Sequence, residues 1–219
     1  SNAATATTAI RGTTWVVTGA ARGLGLCLSR HLSAGGATVM SLSRQPGPDL
    51  PGVRHIAFDQ ADAASIRAAA GAIAGPIDYV IHNAAIRGDT GGLGSFTAED
   101  LAEVMRINVA GPLLLTRALL PRLTPRAVIS FISSRAGSFA EGHDPDGDYA
   151  YCLSKAALNR AVAKLADDLP QPVLALHPGW LATDMGGPDA PGDPQHAAAA
   201  IVALLSGPQR PASGSFTDA

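Results

Sequence analysis

T-G-A-A-R-G-L-G at residues 18–25 is the stretch that decides the fold of this chain. It lies between a short apolar run that ends at Thr18 and a helical pattern that begins at Gly23. Its glycines permit a tight turn, a close approach of the backbone to a pyrophosphate, and close packing of helix on strand. The first turn of the helix offers N–H groups to an anion. This order of strand, glycine-rich loop and helix predicts a dinucleotide-binding site.

Strand-like and helix-like segments alternate along the rest of the chain, with short Gly/Pro punctuation. The predicted strands span 13–18, 37–43, 53–58, 77–82, 126–133 and 172–177, and the predicted helices span 23–34, 61–74, 97–120, 149–168 and 194–205. Alternation of this kind indicates a parallel sheet with helices on both faces. We expect an α/β fold, a single-domain Rossmann-type doubly wound parallel sheet of about seven strands. The domain would span residues 4–219, and residues 1–3 (Ser-Asn-Ala) are interpreted as the remnant of a cleaved purification tag.

Composition argues against several classes of protein. Lys and Arg total 16 against 18 Asp and Glu, a net charge of −2, which lacks the basic surplus of a nucleic-acid binder. No apolar run approaches the roughly 20 residues that span a bilayer, and no secretory leader pattern opens the chain. Cys27 and Cys152 are too few and too far apart to form a disulfide framework. We expect a cytoplasmic protein with reduced thiols that binds neither nucleic acid nor membrane.

Ser43-Arg44 ends the second predicted strand, where an NAD site usually places an acidic residue for the ribose 2′-hydroxyl. No Asp or Glu precedes Asp49. Arg22 and Arg44 can both hydrogen-bond a 2′-phosphate. The pattern favours NADP(H) over NAD(H), with two ordinary solvated arginines as the alternative.

Tyr151 and Lys155 lie four positions apart on a predicted helix, so both side chains share one face. The ammonium would lower the phenol pKa toward a useful acid/base range. Ser134 follows the predicted strand at 126–133 and could donate a hydrogen bond to a carbonyl substrate. Turn chemistry alone would also explain a Ser-Ser pair at a strand end.

These motifs, in this order, resemble the short-chain dehydrogenase/reductase family from Thr13 to about Phe216. The matching positions are residues 18–25, Asn83-Ala84-Ala85, Asn108-Val109, Ser134, Tyr151 with Lys155, and Pro178-Gly179 followed by Thr183. Within the family, residues 132–135 and 178–187 are most similar to the compact branch of C-factor-like and sniffer-type carbonyl reductases.

The resemblance implies a role for each matching residue. Tyr151 would be the general acid or base, Ser134 would position the carbonyl, and Lys155 would hold the nicotinamide ribose. Asn108 would maintain a local helix distortion and a water that connects Lys155 to solvent. Asp59 would bind the adenine amino group, Asn83-Ala84 would line the adenine ribose, and Thr183 would bind the carboxamide. Together with the glycine-rich loop and Ser43-Arg44, argued above from the residues themselves, the expected cofactor-binding set is Gly19, Arg22, Gly23, Leu24, Gly25, Ser43, Arg44, Asp59, Asn83, Ala84, Lys155, Pro178, Gly179 and Thr183.

Two departures from the family pattern affect the cofactor and substrate regions. Ala85 replaces the glycine of the usual Asn-Ala-Gly, and the interval from Ser134 to Tyr151 is longer than the commonest spacing because of the polar run at 141–148. Asp144, Asp146 and Asp148 alternate as in a calcium loop, but Tyr149 and Lys155 stand where that loop requires Gly and Glu. We expect no metal and interpret the run as a solvated loop at the mouth of the site.

The sequence therefore predicts an NADP(H)-dependent oxidoreductase that reduces a carbonyl or oxidises a secondary alcohol of a small molecule. The alternative is a cofactor-binding signalling or sensor protein of the same fold without significant turnover. A homodimer or homotetramer is expected through the helices that carry Asn108 and Tyr151, unless residues 113–115 and 156–157 face the sheet instead. A hydrolase is disfavoured because no G-x-S-x-G occurs, and His82 and His177 are interpreted as packing or turn residues.

Overall fold

The computed structural model describes residues 9–141 and 148–219. These two ranges contain seven strands: β1 (Thr14–Thr18), β2 (Thr38–Ser43), β3 (Val53–Ala57), β4 (Ile77–His82), β5 (Leu123–Ile132), β6 (Val173–His177) and β7 (Phe216–Asp218). All of them are parallel, and they form one sheet in the order β3-β2-β1-β4-β5-β6-β7. The expected doubly wound parallel sheet is confirmed.

Helices cover both faces of the sheet. They are α1 (Gly23–Ala34), α2 (Ala63–Gly71), α3 (Ala98–Met105), α4 (Gly111–Leu119), α5 (Tyr149–Asp168) and α6 (Pro194–Ser206). Leu28 of α1 and Ile201 of α6 belong to the apolar core on one face. Ile66 of α2, Leu115 of α4 and Leu158 of α5 belong to the core on the other. Successive strand side chains point to opposite faces, which is why β1 to β6 contribute to both cores.

The prediction of one continuous helix at 97–120 is wrong in one respect, because the helix is interrupted. The π-helical segment Arg106–Ala110 joins α3 to α4, and a short 3-10 turn, Leu120–Arg122, follows α4. The strand predicted to begin at residue 126 begins at Leu123. Six strands could be located from the sequence, and the short β7, which pairs with β6, is not one of them.

Strand order reverses between β1 and β4, so the loops after these strands diverge and leave a crevice at the carboxyl edge of the sheet. Among the described residues, no helix combines the length and hydropathy needed to cross a bilayer. Residues 1–3, interpreted as a tag remnant, lie outside the described residues. The greater part of the polar run, residues 142–147, also lies outside them.

Candidate active site

A cleft of about 1120 Å³ opens at the carboxyl edge of the sheet, lined by the loops that follow β1 to β6. It contains every site residue proposed from the sequence except Gly25 and Asn108. Its position matches the crevice in which open α/β sheets bind ligands.

The backbone of the glycine-rich loop between β1 and α1 lies close to its neighbouring segments. Gly19 and Gly23 adopt positive φ values of 64° and 55°, which favour glycine. A Cβ at Gly19 would lie 3.0 Å from the Cα of Ala84, and one at Gly25 would lie 2.1 Å from the carbonyl oxygen of Gly19. Gly25 therefore packs the loop onto its helix instead of lining the cleft.

The N-terminus of α1 can accept an anion. Arg22, the N-cap residue, makes no side-chain capping bond, and no acidic residue occupies the first turn. The unsatisfied N–H groups and the positive end of the helix dipole suit a phosphate. This cradle and the adjoining cleft fit the diphosphate of a dinucleotide.

A hydrogen-bond network joins this loop to the segment after β4. The side-chain amide of Asn83 donates to the carbonyl oxygens of Thr18 (3.2 Å) and Gly19 (3.4 Å). The Thr18 hydroxyl oxygen accepts from the N–H groups of Asn83 (2.9 Å) and Ala84 (3.0 Å). Asn83 thus braces the two loops that line the cleft.

Gln60, which was not among the predicted residues, extends that network. Its Nε2 donates to the carbonyl oxygens of Ala84 (2.8 Å) and Ile107 (2.7 Å), which links the cleft to the π-helical segment. Its Oε1 is buried without a hydrogen-bond partner among the described residues. A polar residue directly after Asp59 at a strand end was the available signal.

The end of β2, at one side of the cleft, carries no carboxylate. Ser43 is buried and its hydroxyl donates to the Gln45 carbonyl (2.7 Å), while Arg44 is exposed at the cleft. Arg22 lies 3.5 Å from Asp184, and both side chains are largely exposed. Arg44 is therefore the arginine placed beside Ser43, whereas Arg22 faces the loop after β6.

Ser134, Tyr151 and Lys155 converge at the other end of the cleft. Ser134 faces Tyr151 and lowers the Tyr151 pKa by acting as a side-chain hydrogen-bond partner of the phenol. The Lys155 Nζ donates to the Ile132 carbonyl (2.9 Å) and lies 5.5 Å from the centroid of the Tyr151 ring. The 3-10 turn Arg135–Gly137, which follows Ser134, packs directly on α5 beside Lys155.

Burial is the largest influence on the pKa values of Tyr151 and Lys155. It raises the pKa of Tyr151, although the Ser134 hydrogen bond opposes that rise. It lowers the pKa of Lys155 to about 8. The Tyr151 pKa was expected to be lowered by Lys155; it is raised instead, because desolvation of the phenolate outweighs the lowering by Ser134 and Arg87.

Asn108 lies outside the cleft, in the π-helical segment. Its side chain accepts from the Ile86 N–H (2.9 Å) and donates to the Ile86 carbonyl (2.8 Å) and to the Ser154 hydroxyl (3.0 Å). Ser154, the residue next to Lys155, is therefore linked through Asn108 to the loop after β4. A local helix distortion does occur at Asn108, as the resemblance implied.

Arg87 and Asp148 also line the cleft and were missed as site residues. Asp148 belongs to the run interpreted as a solvated loop, and for this residue the interpretation is wrong: its side chain is 3% exposed and lies 2.9 Å from the Nε of Arg87. Its position three residues before Tyr151 was the one signal in the sequence. Within the described residues, no cluster of three or more His, Cys, Asp or Glu side chains could hold a metal.

The two histidines at strand ends differ in their surroundings. His82 is buried, and its ring stacks on Phe131 and lies 2.8 Å from the Thr116 hydroxyl, which identifies it as a packing residue. His177 lines the cleft, where its Nδ1 accepts from the Arg135 N–H (3.4 Å).

Comparison with known proteins agrees with this geometry. The model of the short chain dehydrogenase family matches residues 13–193. The chain belongs to the short-chain dehydrogenase/reductase family. By class it is therefore an oxidoreductase.

Individual relatives differ in what their names say. C-signal of Myxococcus xanthus is 41% identical over 149 residues, which cover 66% of this chain and 89% of that protein. D-erythrulose reductase of Gallus gallus is 31% identical, over 87% of this chain and 80% of that protein. An NADPH-bound carbonyl reductase from chicken fatty liver superposes with a TM-score of 0.86 at 28% identity, over 95% of this chain and 96% of that chain.

Proposed function

We propose that the protein is an NADP(H)-dependent reductase of small carbonyl compounds, which can also oxidise the corresponding secondary alcohols. The convergence of Ser134, Tyr151 and Lys155 at one end of a cleft with a dinucleotide cradle at the other carries the proposal. Residues 4–219 would act as one cofactor-binding and catalytic domain in the cytoplasm.

The chain's own residues supply the acid and its orientation. Ser134 donates a hydrogen bond to the carbonyl oxygen, and Tyr151 transfers its phenolic proton to that oxygen as the C–O bond becomes a single bond. In the oxidation direction the Tyr151 phenolate takes the proton back. NADP(H), when bound, supplies or accepts the hydride. Lys155 holds the nicotinamide ribose, and its charge stabilises the phenolate left on Tyr151.

The preference for NADP(H) rests on Arg44. It is exposed at the cleft directly after β2, where no carboxylate would repel a 2′-phosphate. The NADPH-bound structural neighbour supports the same choice. Arg22 would contribute once it exchanges its exposed contact with Asp184 for the phosphate.

A second candidate function is a cofactor-binding signalling protein without significant turnover, which the similarity to C-signal favours. The acid/base constellation favours the enzyme, because a protein that only binds the cofactor does not need a proton donor beside Ser134. Turnover therefore discriminates between the two.

Side-by-side titration of NADPH and NADH tests the cofactor. We expect tighter binding of NADPH, and Arg44→Ala should bring its affinity toward that of NADH, a loss of about tenfold or more for one charge-assisted contact. Equal affinities in the unmodified protein would contradict the preference. D-erythrulose, the substrate named for one relative, is a suitable first carbonyl for turnover with NADPH. NADPH binding without turnover on a panel of carbonyls would favour the signalling function.

A further inference from the structure

One ion pair in the cleft is not used by the proposed mechanism. The Nε of Arg87, in the loop after β4, donates to the Oδ2 of Asp148 at 2.9 Å. The Asp148 side chain is 3% exposed and that of Arg87 is 37% exposed. An ion pair with one buried member is weak evidence for stability, because desolvation of the buried carboxylate offsets the attraction between the charges. Its presence beside the reacting groups calls for a functional reason.

The pair joins two segments that must keep their relative positions. Asp148 is the N-cap residue of α5, yet its carboxylate makes no capping bond and instead binds Arg87. Its backbone carbonyl accepts from the Cys152 N–H (3.1 Å), so it takes part in the helical turn that contains Tyr151. Arg87 follows Ile86, whose backbone is held by Asn108. The loop after β4 is therefore linked to α5 directly at Asp148 and, through Asn108, at Ser154.

We propose that the Arg87–Asp148 ion pair is a positioning element that fixes Tyr151 and balances the charge around its hydroxyl. The inference rests on the proposed role of Tyr151 as the acid and base. It adds two residues to the acid/base group, neither of which would touch the transferred proton.

Tyr151 is surrounded by groups from several segments. Ser134 faces it from the turn after β5, Arg87 from the loop after β4, and Asp148, Cys152 and Lys155 from α5 itself. Arg87 lowers the pKa of Tyr151, whereas Asp148 raises it. The two effects oppose each other only while both charges are present.

Loss of one partner should therefore move the Tyr151 pKa in a direction set by the charge that is removed. Asp148→Asn removes the carboxylate that raises the pKa of Tyr151, so the pKa should fall. Arg87→Gln removes the cation that lowers it, so the pKa should rise. Each shift should be on the order of one pH unit, as for a charge near the titrating group. The double variant should return toward the unmodified value.

Ultraviolet titration of tyrosinate measures this without substrate or cofactor. The chain has three tyrosines, so subtraction of the Tyr151→Phe curve isolates Tyr151. Asp167→Asn, an exposed carboxylate on the same helix, is the matched control and should leave the curve unchanged. Circular dichroism across the pH range checks that each variant is folded.

Opposite shifts of the two single variants support the proposal, and shifts of the same sign, or none, overturn it. If Arg87→Gln does not fold, Arg87→Lys takes its place: it retains the cation and should stay near the unmodified value while Asp148→Asn moves down. A fall of Arg87→Lys equal to that of Asp148→Asn would overturn the charge balance. Absence of turnover with any carbonyl would refute the proposed function but not this charge balance.

Discussion

Lys155 carries its charge in the interior of the protein, where loss of hydration opposes folding. Its ammonium is buried, with the Ile132 carbonyl as its hydrogen-bond partner, and burial lowers its pKa from 10.5 to about 8. The unfolded chain therefore binds more protons than the folded protein between about pH 8 and 10.5. The free energy of unfolding should rise with pH across that window, and the full penalty applies below pH 8.

Lys155→Met should consequently stabilise the protein at neutral pH. The pKa change corresponds to roughly 3 kcal/mol, and loss of the Ile132 hydrogen bond removes about 1 kcal/mol, which leaves a gain of about 2 kcal/mol. The gain should shrink as the pH rises from 8 toward 10.5. Urea unfolding at a series of pH values measures it, with the exposed Lys164→Met on the same helix as control. A lower free energy of unfolding for Lys155→Met at pH 7 would show that the buried charge of Lys155 does not destabilise the protein.

At the scale of elements, the site depends on how closely the 3-10 turn Arg135–Gly137 approaches α5. A Cβ on Gly137 would lie 2.5 Å from the Lys155 carbonyl carbon and 2.6 Å from the Ala156 nitrogen, both backbone atoms that cannot move aside separately. Gly137→Ala should push the turn off the helix and displace Ser134 from Tyr151. We expect a loss of about 1–3 kcal/mol in unfolding free energy, as for overpacking, and a larger fall in kcat than in NADPH affinity.

Gly71→Ala is the matched control for that substitution. Gly71 ends α2, and a Cβ there would meet nothing within 4 Å. Alanine should leave activity intact and stabilise the helix by up to about 1 kcal/mol. Thermal unfolding and steady-state kinetics on both variants test the pair. Equal behaviour of the two alanines would contradict a tight approach at Gly137.

Elements whose pattern is local could be predicted, and those made by distant pairing could not. Helices α1 and α5 and strand β4 have the predicted bounds, because apolar periodicity and glycine or proline breaks lie within each segment. The π-helical segment has no such pattern, since a one-residue change of hydrogen-bond register leaves the composition unchanged. Strand β7 is three residues long and depends on β6 for its pairing.

Residues of the candidate site that have a local sequence signal could likewise be predicted, whereas those brought together by the fold could not. Ser134, Tyr151 and Lys155 could be proposed from spacing and resemblance, and they do lie together in the cleft. The Arg87–Asp148 pair could not, because its members are 61 positions apart and a buried carboxylate in a polar run looks like a solvated one. Burial, which also reverses the expected direction of the Tyr151 pKa, is a property of the assembled molecule.

At the scale of the whole molecule, the remaining expectation is assembly into a homodimer or homotetramer. Of the residues considered for the contact face, Leu115 is buried in the core, whereas Ala156 is exposed on α5. Leu153, one turn before Ala156, is 54% exposed, so α5 presents an apolar strip to its surroundings.

Static light scattering across micromolar concentrations tests this face. The unmodified protein should have a mass that is a multiple of the 22.2 kDa chain. Leu153→Glu with Ala156→Glu should bring it to a single chain, because two buried carboxylates without partners would oppose the contact. Leu93→Glu removes an apolar side chain that is 75% exposed elsewhere and should leave the mass unchanged. A single-chain mass for the unmodified protein at every concentration would show that the strip on α5 does not join two copies.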